Sequence, residues 1–466
     1  MSETKSGALA RFVTSASYED LPEDIARKTL AHIVDSFAAG IAGAVSDEAV
    51  ILREVLPKRK LDERCAAAWG TMSPLWAPEA ALLNGTASHA FELDDTGGCD
   101  HSGAVVVPAA AAAAEIADHP VSGRDFILAA ALGYDIARRP LEACGAYEPH
   151  NKAGFHSTGT CGPFGAAAAA SKILGLTEAQ TQNALGIASA FSGGLWACVH
   201  DGAMNKRLHA GHASFGGLLS ALLAKRDFTG ASQVFEEVWG GFNKSFAPLS
   251  SVPEAYTRNL GKDWRIRRVS IKPHAACRST HAAIDAADIL RERYGFGPDE
   301  VKEVLITVNP FVYGMCGRKA SAPMAKAQLS MPYAVAADLV LGDASLASFS
   351  RTARENPKVL SMMERVRFIV DEKVADDEEP SVEIALKDGR RVSAHVPVPL
   401  GDPRNPVGAG ALKKKFVASA SLVLPEGSAL SLYERLMALG SVSDFKKEIA
   451  PFLGSPEADL RAFSER

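Results

Sequence analysis

Three short stretches concentrate side chains able to do chemistry: Asn205-Lys206-Arg207-Leu208-His209, Gly154-Phe155-His156 and Lys272-Pro273-His274-Ala275-Ala276-Cys277-Arg278. Each sets cationic or imidazole groups among Gly and Ala, in a chain that is otherwise quietly apolar. Grouped cations suit a small polyanion, and His or Lys beside it can move protons. The chemistry implied is acid–base work on a small carboxylate, not recognition of nucleic acid, phosphate or membrane.

A fourth stretch, Glu92-Leu93-Asp94-Asp95-Thr96-Gly97-Gly98-Cys99-Asp100-His101-Ser102, places four carboxylates and a histidine in a Gly-containing loop after a helix. Such a group can bind a divalent metal or supply acid–base groups. Asp94 and Asp95 could equally cap helix ends or pair with nearby cations, whereas His101 reads as functional. His156 precedes a helix start, close to unsatisfied backbone N–H groups that welcome an anion. Neither a phosphate loop nor a dinucleotide fingerprint is present. Lys206 and Arg207 are adjacent and point in different directions on regular backbone, so one reaches a site and the other is free for solvent. His209 and His212 share a helix face but lack a third metal ligand at known spacing. Arg278 suits bidentate carboxylate binding, and Lys272, if desolvated, suits a base. Cys277 beside His281 would be a nucleophile, but no Cys–His protease or acyl-transfer signature accompanies it.

The elements that must hold these groups are mostly helical. Residues 25–42, 78–91, 105–117, 124–138, 162–174, 177–190 and 211–224 carry helical periodicity. Thr177-Glu178-Ala179-Gln180 has the form of a capping box. Many of these helices are built from Ala and Gly, which lets helix axes approach closely. The pattern changes near Trp264. Residues 267–272 and 301–308 read as strands, and 381–386 with 391–395 as a hairpin turning near Asp388-Gly389. Residues 280–293 and 331–341 read as helices. Pro397 to Gly410 reads as a linker, and 428–439 and 443–453 as helices. The fold class predicted is therefore multidomain: a large all-α helical bundle domain over 1–265, a smaller α+β lid-like domain over 266–404, and C-terminal helices over 405–466 that rejoin the bundle.

At 466 residues, with 47% hydrophobic and 23% charged residues and a net charge of -5, the chain has the composition of a globular protein without a basic face. No run approaches a membrane span, the N-terminus lacks a signal peptide's apolar core, and seven cysteines make no disulfide framework. A cytoplasmic location is the expectation.

The residues also resemble a known family. Leu93-Asp94-Asp95-Thr96 with His101-Ser102, Gly154-Phe155-His156, Lys206-Arg207-Leu208-His209, Lys272-Pro273-x4-Arg278-x2-His281 and Gln328-Leu329-Ser330-Met331-Pro332-Tyr333 are similar, in this order, to motifs of the MmgE/PrpD family. The resemblance implies a homodimeric, cofactor-free enzyme with its site between an all-helical and an α+β domain. Members include 2-methylcitrate dehydratase, cis-aconitate decarboxylase and iminodisuccinate epimerase, all proton-transfer enzymes acting beside a carboxylate. By that similarity His101, His156, Lys272 and His274 are the catalytic candidates. Asp94, Asp95, Thr96, Lys206, Arg207 and Arg278 are the substrate-binding ones, with no metal. Two departures stand out: Gly97-Gly98 after the Asp-Asp pair, with Asp100 immediately before His101, and His274 where relatives often carry Tyr or Phe.

The expectation is general acid–base catalysis on a small di- or tricarboxylate, with epimerisation of iminodisuccinate preferred over a 2-methylcitrate-type hydro-lyase or a cis-aconitate-type decarboxylase. A metal hydrolase using Asp94, Asp95, His101 and His156, and a non-enzymatic carboxylate-binding protein, are the readings from other classes.

Overall fold

The structure is a computed structural model describing residues 4–375, 377–456, 458 and 460. Its larger part is a bundle whose central helices, Ala77–Ser88, Gly103–Ile116, Gly123–Ala143, Ser157–Ile173 and Asn205–Ala224, are buried on nearly all faces. Helices this enclosed can pack only if their side chains are small. A Cβ on Gly211 would lie 2.3 Å from the Leu82 carbonyl oxygen and 2.2 Å from Thr86 Oγ1, and one on Gly85 would lie 2.9 Å from the Gly211 Cα. The Ala and Gly runs are thus the condition for this close crossing. Gly211→Ala is expected to cost about 1–3 kcal/mol, the usual cost of overpacking. A denaturant midpoint equal to that of the parent chain would refute the close crossing.

The helix expected over 162–174 is present but begins earlier, at Ser157, and ends at Ile173. Pro163 does not break it. The Gly159 carbonyl that Pro163 cannot serve accepts a hydrogen bond from Gly193 N instead, at 3.2 Å. Helix continuity therefore reaches back to His156, which sits directly before the first turn.

The smaller part holds a four-stranded mixed sheet. With the short ribbon β1 (Cys65–Ala67) and β2 (Pro74–Trp76) counted first, its strands are β3 (Val301–Val308), β4 (Val366–Val370), β5 (Ser381–Leu386) and β6 (Arg391–His395), in the order β4-β3-β5-β6. β3 pairs parallel with β4 and antiparallel with β5, and β5–β6 is the hairpin, Ser381 opposite His395. The His281–Tyr294 helix covers β5 and β6.

Residues 267–272 are not a strand of this sheet. Arg265–Arg268 forms a 3₁₀ turn, after which Ser270 pairs only with Thr96: Ser270 N donates to Thr96 O at 2.7 Å and Thr96 N to Ser270 O at 3.0 Å. The β-branched residues there tie two loops together rather than build a sheet. The Ala409–Ala420 helix returns to pack on Glu23–Gly43, and Lys415 Nζ donates to Leu93 O at 2.6 Å. Residues 457, 459 and 461–466 of the C-terminal stretch, and 1–3 of the N-terminus, lie outside the described residues. Among the described residues no single helix is long and apolar enough to cross a membrane.

Candidate active site

The loop between the Ala77–Ser88 and Gly103–Ile116 helices carries most of the chemistry. Two non-glycine residues in it, Glu92 (φ 53°) and Asp100 (φ 88°), adopt left-handed backbone. Such residues cost of order 1–3 kcal/mol each, persist only where their surroundings over-determine them, and cluster at functional sites. Here both side chains are held in an ionic network.

Glu92 is its centre. Oε1 accepts from Lys206 Nζ and lies 3.2 Å from the Arg207 guanidinium; Oε2 accepts from Lys272 Nζ at 3.1 Å. Burial alone would raise the Glu92 carboxyl, but the three cations overcome it and hold the group well below the ordinary carboxylate range. Lys272 Nζ is also 3.6 Å from Asp94 Oδ1. Burial would lower this ammonium, and Glu92 and Asp94 raise it instead, so Lys272 is held as a cation rather than as a free base.

Asp94 Oδ2 in turn accepts from His89 Nδ1 at 2.9 Å and lies 3.1 Å from His101 Nδ1, which also donates to Asp95 O at 2.9 Å. Burial works against a charge on His101, but Asp100 and Asp94 outweigh it and raise its pKa above 6.5. His156 has the opposite fate. Burial lowers it to about 4, with only partial compensation from Asp100. Asp100 stands between the two, Oδ1 3.6 Å from His101 Nε2 and Oδ2 3.5 Å from His156 Nε2. Thr96 Oγ1 donates to Asp100 at 3.1 Å. Three carboxylates (Glu92, Asp94, Asp100) thus face three cations (Lys206, Arg207, Lys272), and a proton on His101 leaves one positive charge over.

This network forms the inner wall of a cavity of about 670 Å³ between the bundle and the smaller part. His101, Asp100, Thr96, Glu92 and Lys206 face it, together with Trp196, whose ring centre is 5.7 Å from Lys206 Nζ. The outer wall includes Asp377, Glu378 and Glu379, the first two exposed.

Other predicted residues fall elsewhere. Asp94, Arg207 and Lys272 are enclosed behind the wall and contact the loop rather than the cavity. Arg207 spends its donors on Glu92, on Ala90 O and, at 3.5 Å, on Gln328 Oε1. Asp95 is a structural hub: it accepts from His32 Nδ1, from Tyr134 OH and from Gly103 N at the start of the next helix. Arg278 reaches the cavity, but Glu379 Oε1 accepts its guanidinium at 2.8 Å. His274 does not reach it. Its Nε2 bonds Asp285 Oδ1 at 2.8 Å, because the helix one turn on offers a carboxylate on that side. His281 Nε2 donates to Ala276 O at 3.2 Å, so this nitrogen is turned away from Cys277. His209 Nδ1 is 2.9 Å from His156 Nδ1, whereas His212 lies by Phe191.

His89, Trp196 and Glu379 carry no signal in the sequence reading, and Glu92 and Asp100, present there only as members of the acidic run, are not among its named site residues. His89 precedes the acidic run by only three positions, at a helix end that looks like ordinary core. Glu379 comes from the sheet part and no local spacing marks it. Gln328 explains its own motif: Nε2 donates to Phe91 O at 2.7 Å and to Ala275 O at 3.1 Å, joining the acidic loop to the Lys272–Arg278 segment. Among the described residues His89, His101 and His156 are the group whose donor atoms converge as metal ligands would, rather than the Asp94 and Asp95 carboxylates.

Residues 7–251 match the model of the MmgE/PrpD N-terminal domain, and residues 274–437 that of the C-terminal domain. Among similar proteins, a cis-aconitate decarboxylase-like protein (oryM) of Aspergillus oryzae is 27% identical over 96% of this chain and 96% of its own. The cis-aconitate decarboxylase of Aspergillus terreus is 27% identical over 95% of each chain, and the human one 27% identical over 91% of this chain and 89% of its own.

Proposed function

The chain belongs to the MmgE/PrpD family, and from that premise we propose that it is an acid–base enzyme of the lyase type, removing carbon dioxide from a small unsaturated di- or tricarboxylate of the cis-aconitate kind. One observation carries the acid–base part: two histidines sharing Asp100 are driven apart in proton affinity, His101 upward and His156 down to about 4. Paired groups pushed apart in this way mark an acid and a base. The names of the relatives support decarboxylation over the other reactions such a pair can run.

In this reading a substrate carboxylate sits against Lys206, at the end of the cavity where one carboxylate is shared by three cations. The C–C bond to a second carboxylate breaks, its electron pair passes into the conjugated carbon skeleton, and carbon dioxide leaves. Protonated His101 delivers its proton to the carbanionic carbon, and Asp100 and His156 pass a replacement inward. Loss of water follows from the same pair if His156, enclosed behind Asp100, takes the proton next to a carboxylate through Asp100 at the cavity wall and His101 protonates the departing hydroxyl.

Epimerisation of iminodisuccinate is the second reading. Its support is the outer wall, where Asp377, Glu378 and Glu379 can face the protonated secondary amine that this tetracarboxylate carries and cis-aconitate lacks. Proton NMR in D₂O separates the readings, using cis-aconitate, citrate, 2-methylcitrate and the iminodisuccinate isomers. The expected result is decay of cis-aconitate to a product bearing one deuterium on carbon. Isomer interconversion with deuterium at the α-carbon of iminodisuccinate would move the assignment to the epimerase, and an inert panel would defeat both.

A further inference from the structure

His101 on the inner wall meets His89 and His156 enclosed behind it, each of the three offering a ring nitrogen within 4.8 Å of the other two. Ring centres are 4.2, 5.8 and 5.9 Å apart, and all three residues are buried. On every ring Nδ1 is committed: His89 and His101 to Asp94 or the Asp95 carbonyl, His156 to His209. The Nε2 atoms are left over. Those of His89 and His156 are enclosed: that of His89 has no hydrogen-bond partner, and that of His156 has only Asp100 Oδ2 in a long contact at 3.5 Å. A buried polar atom left unsatisfied is costly, so these converging rings call for a ligand.

The spacing and chemistry indicate which ligand. Asp100 lies 3.6 Å from His101 Nε2 and 3.5 Å from His156 Nε2. Bonds of about 2.0–2.1 Å from a tetrahedral zinc ion place its ligand atoms roughly 3.4 Å apart, so these pairs already stand near ligand-to-ligand distance. Asp94, accepting from Nδ1 of His89, is the outer carboxylate that orients metal-bound imidazoles. Imidazole nitrogens favour zinc, copper or nickel over magnesium or calcium.

We propose that His89, His101 and His156 form a binding site for a divalent transition-metal ion of the zinc type, with Asp100 beside the latter two, and that the bound ion switches the enzyme off. The binding half stands on the geometry alone. The inhibitory half rests on the proposed function, because the ion occupies His101 on the wall of the cavity where that reading places the substrate.

The test uses the untagged full chain, stripped with a chelator and dialysed to equilibrium against zinc. One zinc per chain is expected. His89→Ala and His156→Ala are expected to abolish stoichiometric uptake, and Asp94→Asn to weaken it about 10–100-fold. Failure of the parent chain to retain zinc, or equal retention by both histidine variants with native circular dichroism, would overturn the site. Should those variants unfold, cobalt uptake by the parent chain decides: the intense visible absorption of four-coordinate cobalt supports the site, and its absence refutes it. Zinc is also expected to inhibit turnover in competition with the carboxylate substrate while magnesium does not; zinc bound without inhibition would refute the switch. Dialysis needs no turnover, so failure of the metal site and failure of the proposed reaction are separable results.

Discussion

Glu92→Gln is expected to destabilise the fold by about 3–5 kcal/mol, the usual cost of removing one partner from a buried ion pair. The reason is the sharing of one carboxylate. Lys206, Arg207 and Lys272 all converge on Glu92, itself 2% exposed. An amide in its place keeps the shape and leaves three cations facing one another with only Asp94 nearby. Glu378→Gln, an exposed rim carboxylate, is the control and should move the guanidinium midpoint little. If Glu92→Gln left the midpoint where Glu378→Gln does, the network would not hold the loop. Acid should act in the same direction. Glu92 and Asp94 have folded-state pKa values well below their ordinary ones, so their stabilisation is present above the ordinary carboxylate range and lost as pH falls. His89 and His156, lowered by burial, begin that loss earlier: below about 6.5 the unfolded chain binds protons that the folded chain refuses.

The division between an Ala/Gly-rich helical bundle and a smaller α+β part was legible because helical period, caps and the Asp-Gly hairpin are local signals. The strand expected over 267–272 failed for a reason that local pattern cannot carry: Ser270 finds its partner in Thr96, far away in sequence. The same limit governs the site. His101, His156 and Lys206 lie in glycine-flanked clusters of mixed charge and could be picked out. His274 was picked on the same grounds, yet a carboxylate eleven residues further on, Asp285, holds it away from the cavity. Which cation faces solvent space and which is buried behind it, as Lys206 is against Arg207 and Lys272, is set by tertiary packing. So is the left-handed backbone at Glu92 and Asp100, which no residue type there announces.

Replacing His101 should silence the enzyme without unfolding it. His101→Gln keeps a side chain that can donate to the Asp95 carbonyl but cannot deliver a proton, and positioned acid–base groups contribute about 10²–10⁴-fold. A fall of that size in kcat/KM on whichever acid is turned over is expected, with a native melting profile. The pH dependence makes the assignment specific. Protonation of His156, lowered to about 4, should cut kcat/KM on the acid side. Deprotonation of His101, raised above 6.5 by Asp100 and Asp94, should cut it on the alkaline side. Asp100→Asn removes the first of those two carboxylates, so it should pull the alkaline limb toward lower pH while leaving the protein folded. An alkaline limb that stays in place in Asp100→Asn, or persists in the residual activity of His101→Gln, would transfer the acid to another residue on the cavity wall, with Lys206 the first to test.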